Sequence, residues 1–347
     1  MSDLPQASFL SARPEPAILE PREAPILLVT VDAEAEFDWN APKRRDPLGV
    51  GAILEQGPAQ AIFADYGITP TYLVDFAVVS DDAACAALSA YLRDGACEIG
   101  AHLNPWLTPP LTEDLTRANT FPGNLDAELE RDKLAGLTGE IESRFGMRPR
   151  VYRAGRYGFG PNSVALLAEL GYRVDLSVAP REDFSPEGGP NFTEFGPEPF
   201  WFGAESRLLE IPMTWDFCGP LFHLGPGLAP SLTGPAARSV RLPAVLARLR
   251  LLEYIRLTPE GDAPGAHQRL TEALLARGQR VFSFGYHSPS LVPGNTPYVR
   301  TERDLEEFLD RLRCYFDYFF GTLGGVAMTA MQLHEKLTGG KPGDPVR

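Results

Sequence analysis

The chain has 347 residues, room for one large α/β domain or two small ones with a substantial core. Its 32 Lys and Arg against 46 Asp and Glu give a formal charge of -14, which argues against nucleic acid or an anionic membrane as partner. The four cysteines form no CxxC pair, no run approaches the roughly 18 apolar residues of a membrane span, and no signal-type segment opens the chain, so buried reduced thiols and a cytoplasmic location are expected.

Residues 1–24 are rich in proline and read as an extended or disordered arm; residues 25–347 read as a single domain. Ile26–Trp39 (ILLVTVDAEAEFDW) is an apolar run that enters four carboxylates, Asp32, Glu34, Glu36 and Asp38. Such a run suits a strand buried on both faces, and acids at its C-terminal end sit where α/β folds keep their chemistry. The plainer alternative is a core strand entering an acidic surface loop. Pro47–Tyr66 reads as a helix closed by Gly67, Ile68–Val79 as a strand and Ala83–Arg93 as a helix. Cys97–Leu103 is a third strand, carrying His102, and Asn104–Asn124 is a proline-rich loop.

An amphipathic helix follows from Leu125 to Phe145, stopped by Gly146, and Val151–Arg153 is a short strand before the RAGRYGFG run. Pro161–Leu170 is helical and Tyr172–Val178 a strand with Asp175 inside it. Ala179–Ala204 and Trp215–Pro235 read as loops on either side of a strand at Leu208–Thr214, and Arg241–Leu257 and Ala266–Arg277 read as helices. Gln279–Tyr286 is a strand that delivers His287, Thr301–Phe320 the clearest helix, and Val326–Leu333 a short terminal element. Seven or eight strand–helix units without a linker predict a (β/α) barrel.

Of the five histidines, His102 and His287 stand at strand ends, on the face where barrels place catalysis; His223, His267 and His334 read as structural. Arg153 and Arg156 follow a strand and can orient a carboxylate through a paired contact. The glycines of RAGRYGFG lack dinucleotide-binding spacing, and no GxSxG elbow is present.

The ordered set TVDAEAEFDW (Thr30–Trp39), EIGAHLNPW (Glu98–Trp106), YRAGRYG (Tyr152–Gly158), GYRVDLSV (Gly171–Val178) and YHSPS (Tyr286–Ser290) resembles the polysaccharide deacetylases. That is the NodB-homology or carbohydrate esterase 4 group, and within it the sequence resembles the WalW-like branch. The resemblance implies a distorted (β/α)7 barrel that hydrolyses N-acetyl groups of a sugar or glycoconjugate with a divalent metal, zinc by preference. It implies Asp32 as general base, Arg153 as its orienting partner, Tyr157 at the oxyanion hole, Asp175 as the fourth motif and His287 as the acid. His102 matches the first metal histidine. The family's second aspartate falls on Ala33, leaving Glu34 as substitute ligand, and its second histidine falls on Trp106, leaving the Asn104 oxygen. Such a set is thin for zinc. Three readings therefore stand side by side: a deacetylase, a non-catalytic sugar-binding protein on that fold, and a metal-independent hydrolase using Asp32, Glu34 and His287.

Overall fold

The computed structural model describes residues 14–339 apart from 40, 47–48, 204–206 and 225–240, of which only 232 and 239 are placed. Residues 1–13 of the expected arm, Pro47, Ala204 and most of the loop running to Pro235 lie outside the described residues.

The apolar run Ile26–Ala33 is strand β2 (β1 being the short Glu15–Pro16), and all eight of its residues are buried. Successive side chains of a strand point to opposite faces. Leu27, Val29, Val31 and Ala33 accordingly pack outward among the helices, whereas Ile26 and Leu28 join a smaller inner cluster with Leu73, Val151, Leu209 and Val281. The inner face continues upward through Thr30 to Asp32. The polar residues thus lie on the inner face of the sheet at its carboxyl end.

Parallel strands β3 (Thr71–Val74), β4 (Glu98–Leu103), β5 (Val151–Ala154), β6 (Val174–Asp175) and β8 (Leu208–Glu210) follow β2 on one side, and β11 (Val281–His287) flanks it on the other. With β2 they make seven parallel strands. β7 (Phe200–Phe202) and β1 extend one edge antiparallel, and β12 (Val326–Ala327) adds to β2. Among the described residues no backbone ladder joins β8 to β11. Thr214 Oγ1, just after β8, instead accepts the Ser283 N–H at 2.8 Å, so the barrel is distorted there. Gly285, opposite Thr30 on β2, leaves no room for a side chain: a Cβ would meet Thr30 Oγ1 at 2.7 Å and Met213 Cε at 3.0 Å.

Helices α1 (Gly57–Asp65), α2 (Phe76–Val79), α3 (Asp82–Arg93), α4 (Ala127–Phe145) and α5 (Ser163–Leu170) connect the first strands. After β9 (Trp215–Cys218) come α6 (Leu242–Arg248), β10 (Glu253–Arg256) and α7 (Pro264–Ala276). The long helix α8 (Glu302–Phe316) starts with a capping box of Thr301 and Asp304, and α9 (Ala330–Thr338) ends the described chain.

Three expectations are corrected. The strand expected over Ile68–Val79 stops at Val74, because Asp75 accepts the Val78 N–H and starts α2. The helix expected over Arg241–Leu257 ends at Arg248, and Glu253–Arg256 pairs antiparallel with Trp215–Cys218, part of an expected loop. Cys314 is exposed on α8, unlike the buried Cys85, Cys97 and Cys218; all four are free thiols. Among the described residues no helix is long and apolar enough to cross a membrane.

Candidate active site

Register in the parallel sheet brings the key residues together. His287 on β11 stands opposite Asp32 on β2, and His102 on β4 opposite Arg153 on β5. Asp32, Glu34, His102, Asn104, Arg153, Tyr157 and His287, all singled out in the sequence, line one cavity of about 620 Å³. A second chamber of about 230 Å³ opens from the same Asp32, Arg153, Tyr157 and His287.

Arg153 is 1 % exposed and fully committed. Its Nη1 donates to Asp32 Oδ1, its Nε to the Leu176 carbonyl at 3.0 Å and its Nη2 to Thr30 Oγ1 at 3.2 Å. Burial alone would raise the Asp32 pKa, but the Arg153 guanidinium, with His102 and His287 behind it, holds the carboxyl below its ordinary range. The other Asp32 oxygen lies 3.7 Å from His287 Nε2. His287 turns its Nδ1 to Glu260 Oε2 at 2.8 Å, and its backbone N–H donates to Glu260 Oε1 at 3.0 Å. Burial disfavours the imidazolium, yet Glu260 outweighs it and moves the His287 pKa up to about 9. Asp32, His287 and Glu260 form a continuous carboxylate–imidazole–carboxylate array.

Glu260 escaped the sequence reading. It lies between β10 and α7, anchored by its N–H to Thr258 Oγ1 at 3.1 Å and by the Ser290 hydroxyl. Only the position of His287 could have prompted a search for its partner. Asp175, the expected fourth motif, does not line either chamber. It stands in register with Glu210 on β8, and the two buried carboxyls share a hydrogen bond. Burial pushes both upward, Asp175 to about 6 and Glu210 further. Ser177 donates to Asp175 Oδ1 and accepts the Ala154 N–H at 2.8 Å, so the pair buttresses the end of β5.

The turn after β5 carries two successive non-glycine residues with left-handed backbone, Arg156 (φ 54°) and Tyr157 (φ 57°). Such residues cost about 1–3 kcal/mol each and persist where the surroundings hold them. Arg156 is held by Glu187, and Tyr157 packs between Phe184 and Trp215 at ring separations of 6.0 and 5.4 Å. Burial drives the Tyr157 hydroxyl pKa upward, so it stays protonated.

On the opposite wall His102 Nε2 lies 3.5 Å from Glu34 Oε2. Burial disfavours its cation, but Glu34 and Asp32 shift His102 toward the imidazolium form. Asn104 presents its amide nitrogen, not the expected ligand oxygen, to Glu34 Oε2 at 3.2 Å and Asp75 Oδ2 at 3.3 Å. Two buried carboxylates facing one amide demand its donor end, and an N–H cannot ligate a cation. One Asp32 oxygen is engaged by Arg153 and the other faces His287. His102 and Glu34 are left as two donors, and among the described residues no cluster of three His, Cys, Asp or Glu could hold a metal. As these side chains stand they present fewer than the three or four such donors of a transition-metal site, although Glu34 Oε1 and Asn104 Oδ1 are buried there without a partner among the described residues.

Among the aromatics, Trp106 lines the main cavity and Trp215 the second chamber; Phe200 and Trp201 are buried in β7. Phe37 and Trp39 join Trp106 around the Lys43 ammonium, which sits 3.3 Å above the Phe37 ring. Burial lowers the Lys43 pKa to about 8. Glu36 belongs to the loop itself, accepting the Ala52 N–H at 2.7 Å. His267 is packed between Phe284 and Tyr315, and burial takes it down to about 4; His334 lies against Trp201. The side chain of His223 lies outside the described residues.

No protein-family model matches the chain, and no curated protein matches its sequence. Solved structures do match. A protein from Mycobacterium smegmatis described as a polysaccharide deacetylase superimposes with a TM-score of 0.53 at 18% identity, over 96% of this chain and 97% of that one. PuuE allantoinase gives 0.53 at 15% identity over 99% and 100% of the two chains. A 4-alpha-glucanotransferase from Thermococcus litoralis gives 0.51 at 11%, over 90% of this chain and 40% of that one. The chain therefore has the distorted barrel fold of the NodB-homology type. Three activities are named on this fold, so function must be argued from the site.

Proposed function

We propose that the chain is a hydrolase that cleaves the C–N bond of an N-acetylated sugar or a related amide, with Asp32 as base and His287 as acid and without a metal step. The observation that carries this is the array Arg153–Asp32–His287–Glu260 facing a cavity. Arg153 fixes one Asp32 oxygen and leaves the other toward His287. A water there loses its proton to Asp32 as its oxygen bonds to the amide carbonyl carbon. Charge then develops on the carbonyl oxygen. His102, biased toward its cation, and the Tyr157 turn are the groups placed to meet it. His287, protonated at neutral pH, donates from Nε2 to the nitrogen as the C–N bond breaks. The acid and amine leave, and the proton on Asp32 crosses the 3.7 Å gap to His287, restoring both.

The fold supports a deacetylase in the broad sense, and the cavity, walled by Phe37, Trp39 and Trp106, suits the face of a sugar ring. The test is acetate release from N-acetylated aminosugars. Removing a general base slows such reactions about 10²–10⁴-fold, so Asp32→Asn and His287→Gln should each fall by that order in protein whose circular dichroism shows the wild-type fold. Wild-type protein that turns over no acetamide, and is indistinguishable from Asp32→Asn, would leave the sugar-binding reading in its place.

A further inference from the structure

Around the two chambers nearly every arginine is matched by an acid: Arg153 by Asp32, Arg156 and Arg117 by Glu187, Arg181 by Asp216. Arg256 is the exception. It ends β10 and lines the second chamber beside His287, yet among the described residues its guanidinium has neither an ion pair nor a hydrogen bond. Its backbone N–H is tied to Asp262 Oδ2 at 3.0 Å, and its guanidinium carbon lies 5.6 Å from the Trp215 ring centroid, so the cation is held in place. Of the acids near it, Glu260 is engaged with His287 and Ser290, Glu182 with the Tyr254 hydroxyl at 3.0 Å, and Asp262 with the Arg256 backbone N–H.

We propose that this second chamber is a subsite for a carboxylate carried by the substrate, with Arg256 as its counter-ion. A guanidinium offers paired N–H donors that match a carboxylate, and a half-buried one without a partner is poorly hydrated and gains from such a ligand. At about 230 Å³ the chamber has room for a carboxylate and the carbons that carry it. It adjoins Asp32 and His287, so the carboxylate sits within a few bonds of the scissile amide. The substrate class is then an N-acylated compound that bears an acid near its nitrogen, such as an N-acetylated aminouronic acid. This assignment rests on the amide-hydrolase reading for its scissile bond, but not for the anion site itself.

The test compares N-acetylglucosaminuronic acid with N-acetylglucosamine. Binding is measured by titration calorimetry on the Asp32→Asn protein, and kcat/KM on the wild type. The acid should bind at least about tenfold more tightly than the neutral sugar, the scale of one charge-assisted pair. In Arg256→Gln that ratio should collapse toward one, and in Arg256→Lys it should fall to an intermediate value, since a point charge replaces the fork. Equal binding of the two sugars, or a preference that survives Arg256→Gln in a protein with wild-type melting behaviour, overturns the subsite. Preferential binding of the acid without turnover of either sugar upholds the subsite and counts against the hydrolase reading. Turnover of both without preference does the reverse.

Discussion

Asp32 and His287 are neighbours in register, but their titration is set by residues that came from elsewhere in the chain. Glu260 is the clearest case. It outweighs the burial that would otherwise neutralise His287 and moves its pKa from 6.5 to about 9. A raised histidine pKa contributes stability that is whole below 6.5 and is lost as pH climbs toward 9, and over the same span it keeps the proposed acid charged. In Glu260→Gln the imidazolium loses its main support. Its kcat/KM should stay near the wild-type value at pH 6 but fall about tenfold by pH 8, where the wild type holds its activity. A profile that declines at the same pH in both proteins would separate Glu260 from the acid. Asp32, His102, Arg153 and His287 were legible in the sequence because each ends an apolar strand. Glu260 was not, for a glutamate in a loop carries no pattern until the fold sets it against an imidazole.

Strand pairing decides what the second buried carboxyl system does. β6 and β8 are only two and three residues long, and their register sets Asp175 directly beside Glu210. Neither is reached by a cation in an ion pair among the described residues, so the pair keeps a proton. The raised pKa values mean that the folded state costs nothing extra while both are protonated, and that stability declines as pH rises from about 4 through 6. Glu210→Gln imitates the protonated form: its amide can donate to Asp175 and its oxygen can still accept the Val178 N–H, now 2.9 Å from Glu210 Oε1. Urea unfolding at pH 7 should place Glu210→Gln within about 1 kcal/mol of wild type and Glu210→Ala about 2–4 kcal/mol below it, for a lost partner and a void. The Gln variant should also show a flatter stability curve from pH 4 to 7. If Gln costs as much as Ala, the shared proton is wrong. The strand around Glu210 was readable as an apolar run, but the sequence assigned Asp175 to the site, because only three-dimensional register shows which acid faces which.

At the scale of the whole molecule, the alternation of β2 explains why one short sequence could foretell so much. Its outward residues pack helices, and its inward residues run from Ile26 and Leu28 at the closed end to Asp32 at the open one. Seven parallel strands repeat that plan, which is why strand–helix periodicity sufficed to predict the barrel. What periodicity could not convey is how the strand ends cooperate, and the metal expectation shows it. His102 and Glu34 stand together at the wall, but Asp75, which begins α2 and reads in sequence as part of a strand, draws the Asn104 amide into donor orientation. With one Asp32 oxygen on Arg153, the guanidinium and the two imidazoles are the cationic groups that face the carboxylates of the site. Any species bound only by the folded state raises its stability by RT ln(1 + [L]/Kd). A structural or catalytic zinc held at nanomolar affinity would add about 4 kcal/mol or more at micromolar free metal, worth several degrees in Tm. Dialysis against a chelator should therefore leave Tm unchanged to within about 1 °C, and adding Zn²⁺ should not raise it. Acetate release should likewise survive the chelator. A melting temperature that falls on chelation and recovers with zinc would return Glu34, His102 and a reoriented Asn104 to the role of ligands, and with it the metal-dependent chemistry that the resemblance implies.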